Sequence, residues 1–355
     1  MLEVEKLEKA KKKRKKILTT VLFLLANALV VLIIILMEDH SGKREPWYIV
    51  KDYFSANWYF IVAAFLMFFV TIIGDSAVFF TLTKRMEMKN YLAPCIKVSI
   101  LGRYYDKVTP WATGGEPFQL AYLIKNNMKA TDACAVTMSR HIIRFFVMAP
   151  VVITILPASR VTTDIWIIII AILGVLGGLI VPTFMLICVW KPKLGHAIAK
   201  GVISLLYKLK IVKDYDKHLQ KVKAGVDNFL SGLEYLSANK KVIIVIGLVA
   251  LIEFFANNSI PFLVMKGLGI QLDYWTVFVL CVFVSYASSI APTPGGAGLA
   301  ELSFYAIFAK YIEGDLLFWA VLFWRLAIYY MPIFIGFTLQ LFEGGKEIIK
   351  AKKMQ

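Results

Sequence analysis

Residues 290–301 read Ile-Ala-Pro-Thr-Pro-Gly-Gly-Ala-Gly-Leu-Ala-Glu, in the middle of an apolar region that runs from about 275 to 312. Pro292 and Pro294 have no amide hydrogen to donate, and Gly295, Gly296 and Gly298 reach backbone conformations that other residues avoid, so no continuous helix passes through them. A second interruption, Val-Thr-Pro-Trp-Ala-Thr-Gly-Gly-Glu-Pro at 108–117, splits the apolar region from about 91 to 124. There Pro110 and the pair Gly114 and Gly115 do the breaking. Hydrocarbon cannot satisfy exposed peptide groups, so a break at membrane depth is either buried in protein or lines a polar cavity.

Outward from these breaks the chain consists of long apolar runs. It has 355 residues, of which 59% are hydrophobic and 18% charged, against about 25% charged in soluble domains. Uninterrupted runs cover Ile17–Met37 and about Trp58–Thr83, Thr131–Pro157, Ile165–Trp190, Val242–Val264 and Leu316–Phe342. Each exceeds the roughly 18 residues that mark a membrane-spanning helix. The expected fold is therefore all-α: a polytopic membrane protein with about six full transmembrane helices and two re-entrant, broken helical hairpins. A soluble enzyme, a disordered chain and a nucleic-acid-binding protein are excluded as broad classes, and a β-barrel would alternate polar and apolar residues along each strand.

The net charge of +16 follows membrane sidedness, with no nucleic-acid partner expected. If both termini face the cytoplasm, segments 1–16, 84–90, 125–130, 191–241 and 343–355 hold 28 of the 40 Lys and Arg residues, as the positive-inside rule asks of inner segments. The expected organisation is a basic cytoplasmic N-terminus at 1–16, a transmembrane domain at 17–342 and a basic cytoplasmic tail at 343–355. Within it, 191–241 carries eleven Lys against four acids and repeats apolar residues at helical spacing, the pattern of amphipathic helices lying on the inner leaflet. Cys95, Cys134, Cys188 and Cys281 form no CxxC pair, and the four His form no HxxxH motif, so neither a disulfide framework nor a metal site is expected. No GxxxxGK[ST] loop occurs, and no cofactor is expected.

The two breaks share a spacing. Glu116 follows the first Gly pair and Arg140 lies 24 residues later; Glu301 follows the second, and Arg325 again lies 24 residues later. With both termini inside, the first hairpin enters from the cytoplasm and the second from outside, which makes the pair an expected inverted repeat with its site near the bilayer midplane. A helix restarting after a break aims N–H groups and a positive dipole end into it, and arginine adds a donor fork that matches phosphate oxygens. Arg140, Arg144 and Arg325 lie inside apolar runs, where a charge costs at least about 2.5–3.5 kcal/mol and needs a partner or water. Glu116 and Glu301 are the expected partners. Such a site suits an anionic headgroup, with the lipid tails left in the bilayer.

At 291–301, Ala-Pro-Thr-Pro-Gly-Gly-Ala-Gly-Leu-Ala-Glu resembles the P-T-P-G-G-x-G-x-x-E signature of the flippase-like membrane family of the lysylphosphatidylglycerol synthase transmembrane region, the flippase domain of the multiple peptide resistance factor. The upstream Thr-Pro…Gly-Gly-Glu segment (109–116), Ser-Arg-His-Ile-Ile-Arg (139–144) and Trp-Arg-Leu-Ala-Ile-Tyr-Tyr-Met-Pro (324–332) look like the same family. The resemblance covers about 15–342. It implies lipid translocation, or handling of lipid-linked precursors, in a bacterial or archaeal cytoplasmic membrane. Bifunctional relatives add a soluble domain that aminoacylates phosphatidylglycerol; the chain is expected to be a stand-alone version without it.

The expected function is thus translocation of an anionic or aminoacylated phospholipid, glycolipid or lipid-linked precursor between leaflets. The substrate-binding candidates are Arg140, Arg144, Arg325, Glu116, Glu301, Gly114, Gly115, Pro292, Pro294, Gly295, Gly296 and Gly298. Asp75, Glu253 and His141 are candidates for coupling to an ion. Each also has a plainer reading: Glu301 as a helix cap, the arginines as structural ion pairs, Asp75 and Glu253 as packed polar groups, and His141 as a satisfied buried histidine. No catalytic residue is assigned. A membrane component of a phosphatidylglycerol lysyltransferase-type enzyme and a scaffold for envelope synthesis are the alternatives, with a second copy or a separate lipid-synthesis enzyme as the protein partner.

Overall fold

The computed structural model describes residues 46–86, 92–158, 165–208, 214–289, 291–312 and 314–353. The run Ile17–Met37 and the basic segment 1–16 lie outside the described residues. In chain order the helices are α1 (Pro46–Arg85), α2 (Leu92–Val108), α3 (Gly115–Lys125), α4 (Ala130–Ala158), α5 (Ile165–Trp190), α6 (Pro192–Lys208), α7 (Tyr215–Ser237), α8 (Lys240–Gly267), α9 (Tyr274–Ser289), α10 (Leu299–Phe308) and α11 (Gly314–Arg325). A π-helical turn over Leu326–Tyr330 then leads into α12 (Met331–Lys353). Among the described residues there is no strand, only an isolated antiparallel bridge between Pro110 and Pro294.

Four stretches among the described residues are long and apolar enough to cross a membrane: Ser55–Arg85, Ala130–Thr154, Lys240–Gly267 and Leu316–Phe342. α1 bends at Asn57, whose φ of −126° and ψ of 19° leave the helical region, so the apolar part begins near that bend. The surfaces of these helices are those of lipid-facing elements. On α8, Ile244, Leu248 and Ile252 follow one another at i, i+4 and are all more than half exposed, while Ile246, Ala250 and Glu253 face inward and are buried. α1 repeats this with exposed Val62, Leu66, Phe69 and Ile73. In water such apolar stripes would demand a partner; against hydrocarbon they need none.

The interior has two lobes. One gathers α1, α2, α3 and α4 around Phe79, Leu101, Leu123 and Val136. The other is built around α9, where Val277 to Val284 are all buried; a helix that is apolar all round belongs in the middle of a bundle. α8, α10 and α11 pack on it through Ile260, Phe304 and Trp324. A small cluster of Tyr104, Tyr329 and Ile333 joins the lobes. Within 191–241, α6 and α7 pack on each other, and α7 also lies along α4.

Candidate functional site

Both breaks fold into the same turn. After Thr109-Pro110, the Ala112 N–H donates to Thr109 O (3.2 Å) and the Thr113 N–H to Pro110 O (3.3 Å). After Thr293-Pro294, the Gly296 N–H donates to Thr293 O (3.2 Å) and the Ala297 N–H to Pro294 O (3.1 Å). Proline at the second turn position fixes φ, and the next residue must take positive φ, as in type II turns. Gly295 (φ 55°) and Gly296 (φ 73°) do so freely; in the first break Trp111 and Ala112 are held there, both at φ 52°. The structural equivalent of Gly295-Gly296 is therefore Trp111-Ala112, not the Gly114-Gly115 pair that the sequence alone suggests.

The two turns touch. Beyond the Pro110–Pro294 bridge, the Gly295 N–H donates to Thr109 O at 3.3 Å, and the Tyr329 hydroxyl lies 3.4 Å from Lys107 O and 3.3 Å from Pro294 O. A Cβ on Gly295 would come within 2.6 Å of the Tyr329 ring and 3.1 Å of Lys107 Cα, so the close approach depends on glycine. Tyr329 belongs to the π-helical turn. Pro332 has no N–H for the ordinary helical bond, and the Met331 N–H reaches back five residues to Leu326 O, which accounts for the π geometry at this point.

The helices that restart after the breaks are capped by the protein itself. The Gly115 N–H donates to Asp106 Oδ1 (2.8 Å) and the Gly114 N–H to Thr109 Oγ1 (2.8 Å). In the second break the Gly298 N–H donates to Glu301 Oε2 at 2.7 Å. These amides are occupied, and the positive helix ends already face carboxylates. The other oxygen of Glu301 lies 2.7 Å from Arg325 Nε, whose guanidinium carbon also stands 4.7 Å from the Trp324 ring and 5.2 Å from the Tyr329 ring.

Arg140 differs from Arg325 despite the equal spacing. It pairs with Asp75 Oδ1 at 2.5 Å, donates to Gln119 Oε1 at 3.0 Å and lies over the Phe79 ring. Glu116, the expected partner, is instead 3.0 Å from His141 Nδ1. The cause is one residue of chain. Pro110 to Glu116 is six positions and Pro294 to Glu301 is seven, and one position on an α-helix turns a side chain by about 100°.

Arg144 opens onto a cavity of about 330 Å3 between the lobes. Its Nη1 is 3.0 Å from Glu253 Oε2, and Arg103 Nη2 lies 3.5 Å from the same oxygen. Arg103 Nη2 also donates to Thr71 O at 2.9 Å. Arg103 and Lys107 follow each other at i, i+4 on α2 and so share a face; both line the cavity. Among the described residues no carboxylate pairs with Lys107. α8 adds Asn257 and Asn258, and α9 adds Ser285, Tyr286 and Ser289, while Phe145, Met148 and Phe254 supply apolar wall. Three cations thus stand against the single carboxylate of Glu253, an excess of two positive charges. Thr71, Arg144 and Glu253 each lie close to the middle of their apolar helices. A narrower recess behind the cavity joins Asp75 and Arg140 to Arg144 and Glu253.

The candidates thus divide four ways. Arg144 and Glu253 line the cavity; Asp75 and Arg140 stand behind it; Glu301, Arg325, Glu116 and His141 are bound into pairs, and the Gly and Pro residues shape the turns. Sequence reasoning missed Arg103 and Lys107, although two cations at i, i+4 immediately before a break at membrane depth were a usable signal. Residues 21–336 match the family described as the lysylphosphatidylglycerol synthase TM region. A protein of Archaeoglobus fulgidus described as a UPF0104 membrane protein is 23% identical over 304 residues, covering 82% of this chain and 87% of that protein. With the matched region spanning both breaks and every helix that lines the cavity, the chain belongs to the lysylphosphatidylglycerol synthase transmembrane-region family of membrane proteins.

Proposed function

We propose that this protein carries an anionic phospholipid, or a related phosphate-bearing amphiphile, between membrane leaflets. The observation that carries the proposal is the cavity bounded by α1, α2, α4, α8 and α9, with three cations against one carboxylate and with Arg144 and Glu253 near the middle of their apolar helices. Its volume is at the small end of the roughly 300–1,000 Å3 of ligand sites, enough for a headgroup but not for acyl chains. Arg103 and Arg144 offer planar donor forks, Lys107 an unpaired point charge, and the asparagine and serine side chains donors for glycerol or sugar hydroxyls. The description of the family points to the same chemistry, since lysylphosphatidylglycerol is a phosphate-bearing lipid.

In this proposal α2–α3 and α9–α10 are re-entrant hairpins of an inverted repeat, set among six full spans with both termini in the cytoplasm. Two equivalent turns paired antiparallel are what a twofold axis in the membrane plane brings together. Rocking of one lobe against the other, with the contact between the two turns shifting as they move, alternates the exposure of the cavity. The test is transport in liposomes containing fluorescently tagged phosphatidylglycerol, scored by the fraction of probe protected from an external quencher. The protein is expected to accelerate exchange over empty vesicles. Lys107→Gln and Arg144→Gln are expected to slow it about tenfold each, the weight of one charge-assisted hydrogen bond. Rates equal to those of empty vesicles for several anionic lipids would remove the proposal.

A further inference from the structure

Glu253 is 2% exposed and sits at the middle of α8, a helix long and apolar enough to cross a membrane. Its Oε2 is the point on which Arg144, at 3.0 Å, and Arg103, at 3.5 Å, converge. Those guanidiniums are also two of the three cations that the cavity offers to an incoming phosphate. The carboxylate and the headgroup therefore compete for the same donors. The charged and titratable groups that line the cavity and its recess with Glu253 are Asp75 on α1, Arg103 and Lys107 on α2, Arg140 and Arg144 on α4, and Tyr286 on α9; in the proposed site Lys107 is the third cation drawn to the headgroup. Arg140 is committed to Asp75, and Arg325 on α11 to Glu301, so neither is free to take over Glu253 once its own arginines turn to the ligand. A carboxylate at that depth without a partner is costly in the ionised form, and protonation removes the charge.

We propose that Glu253 is the proton site of the transport cycle: a headgroup phosphate entering the cavity takes Arg103 and Arg144 from Glu253, and Glu253 takes up one proton as the headgroup binds. The inference rests on the transport function proposed above and adds its coupling ion. The step balances without any bond of the lipid breaking. One proton from water in the cavity joins the carboxylate of Glu253 to give the neutral acid, and one monoanionic phosphate diester replaces it beside the arginines. The cavity holds three cations and one anion before and after. Release of the headgroup reverses the step, with Glu253 returning its proton to water as it recovers its arginines. A lipid anion and a proton then travel together with no net charge, so a pH difference drives transport and membrane potential does not.

The test is calorimetric titration of the full chain in detergent with dihexanoyl phosphatidylglycerol, in two buffers of different ionisation enthalpy at neutral pH, with dihexanoyl phosphatidylcholine as the reference lipid. The buffer dependence of the heat counts protons independently of affinity. The expected result is preferential binding of phosphatidylglycerol with about one proton taken up per lipid, and binding by Glu253→Gln with no proton uptake. Preferential binding by the natural protein without buffer dependence overturns the proton site and leaves the transport function standing. Proton uptake that persists in Glu253→Gln moves the site to another group and also overturns it. No preference for phosphatidylglycerol overturns both. Since the decisive count is made on the natural protein, a variant that does not fold leaves the test intact.

Discussion

Arg140 and Arg325 stand at equal distances from a glutamate in the sequence and live in different surroundings. Arg325 is held by Glu301 and two aromatic rings, whereas Arg140 depends on Asp75, 65 residues earlier and 2% exposed. Removing one partner of a buried ion pair leaves an uncompensated charge and costs about 3–5 kcal/mol. Asp75→Asn is accordingly expected to lower the thermal unfolding midpoint in detergent by several degrees, with Asp75→Glu much milder. A midpoint unchanged by Asp75→Asn would show that Arg140 is sustained by Gln119 and Phe79 alone. That each mid-depth arginine needs a partner was legible from the sequence, because the cost of a bare charge in hydrocarbon is general. Which carboxylate answered was not, since a single residue fewer in the first break points Glu116 at His141 instead.

At the scale of elements, the breaks were legible from proline and glycine, but the register of their equivalence was not. Trp111 and Ala112 occupy left-handed conformations that favour glycine, at a cost of roughly 1–2 kcal/mol per residue. Nothing in their side chains announces this; it emerges only from the hydrogen-bond pattern that the first turn has in common with the second. The contact between turns also supplies a mechanical test. Residues paired across an antiparallel bridge have Cα atoms about 4.5–5.5 Å apart, within the roughly 4.4–6.8 Å that a disulfide spans. The double variant Pro110→Cys, Pro294→Cys is expected to cross-link within one chain on oxidation. If rocking works about a contact that must shift, the oxidised protein loses at least about nine-tenths of its lipid exchange and regains it with reductant. Full exchange by the cross-linked form would place the moving parts elsewhere in the fold.

For the molecule as a whole, composition and run length were enough to identify a helical membrane protein, because apolar length and hydrocarbon thickness are directly related. In the basic 191–241 segment α6 and α7 pack against each other, and α7 lies on α4. The cavity was not legible. It is assembled from α1, α2, α4, α8 and α9, and no single stretch carries its charge balance. The central claim is that this cavity receives an anionic headgroup at Arg103, Lys107 and Arg144. The most direct measurement is the class distribution of lipid that stays bound when the natural protein and the triple variant Arg103→Gln, Lys107→Gln, Arg144→Gln are purified side by side and weighed by mass spectrometry. The natural protein is expected to retain anionic phospholipid well above its share of the membrane, and the triple variant to return to that share. Equal lipid classes on both proteins, with both properly folded, would contradict the claim.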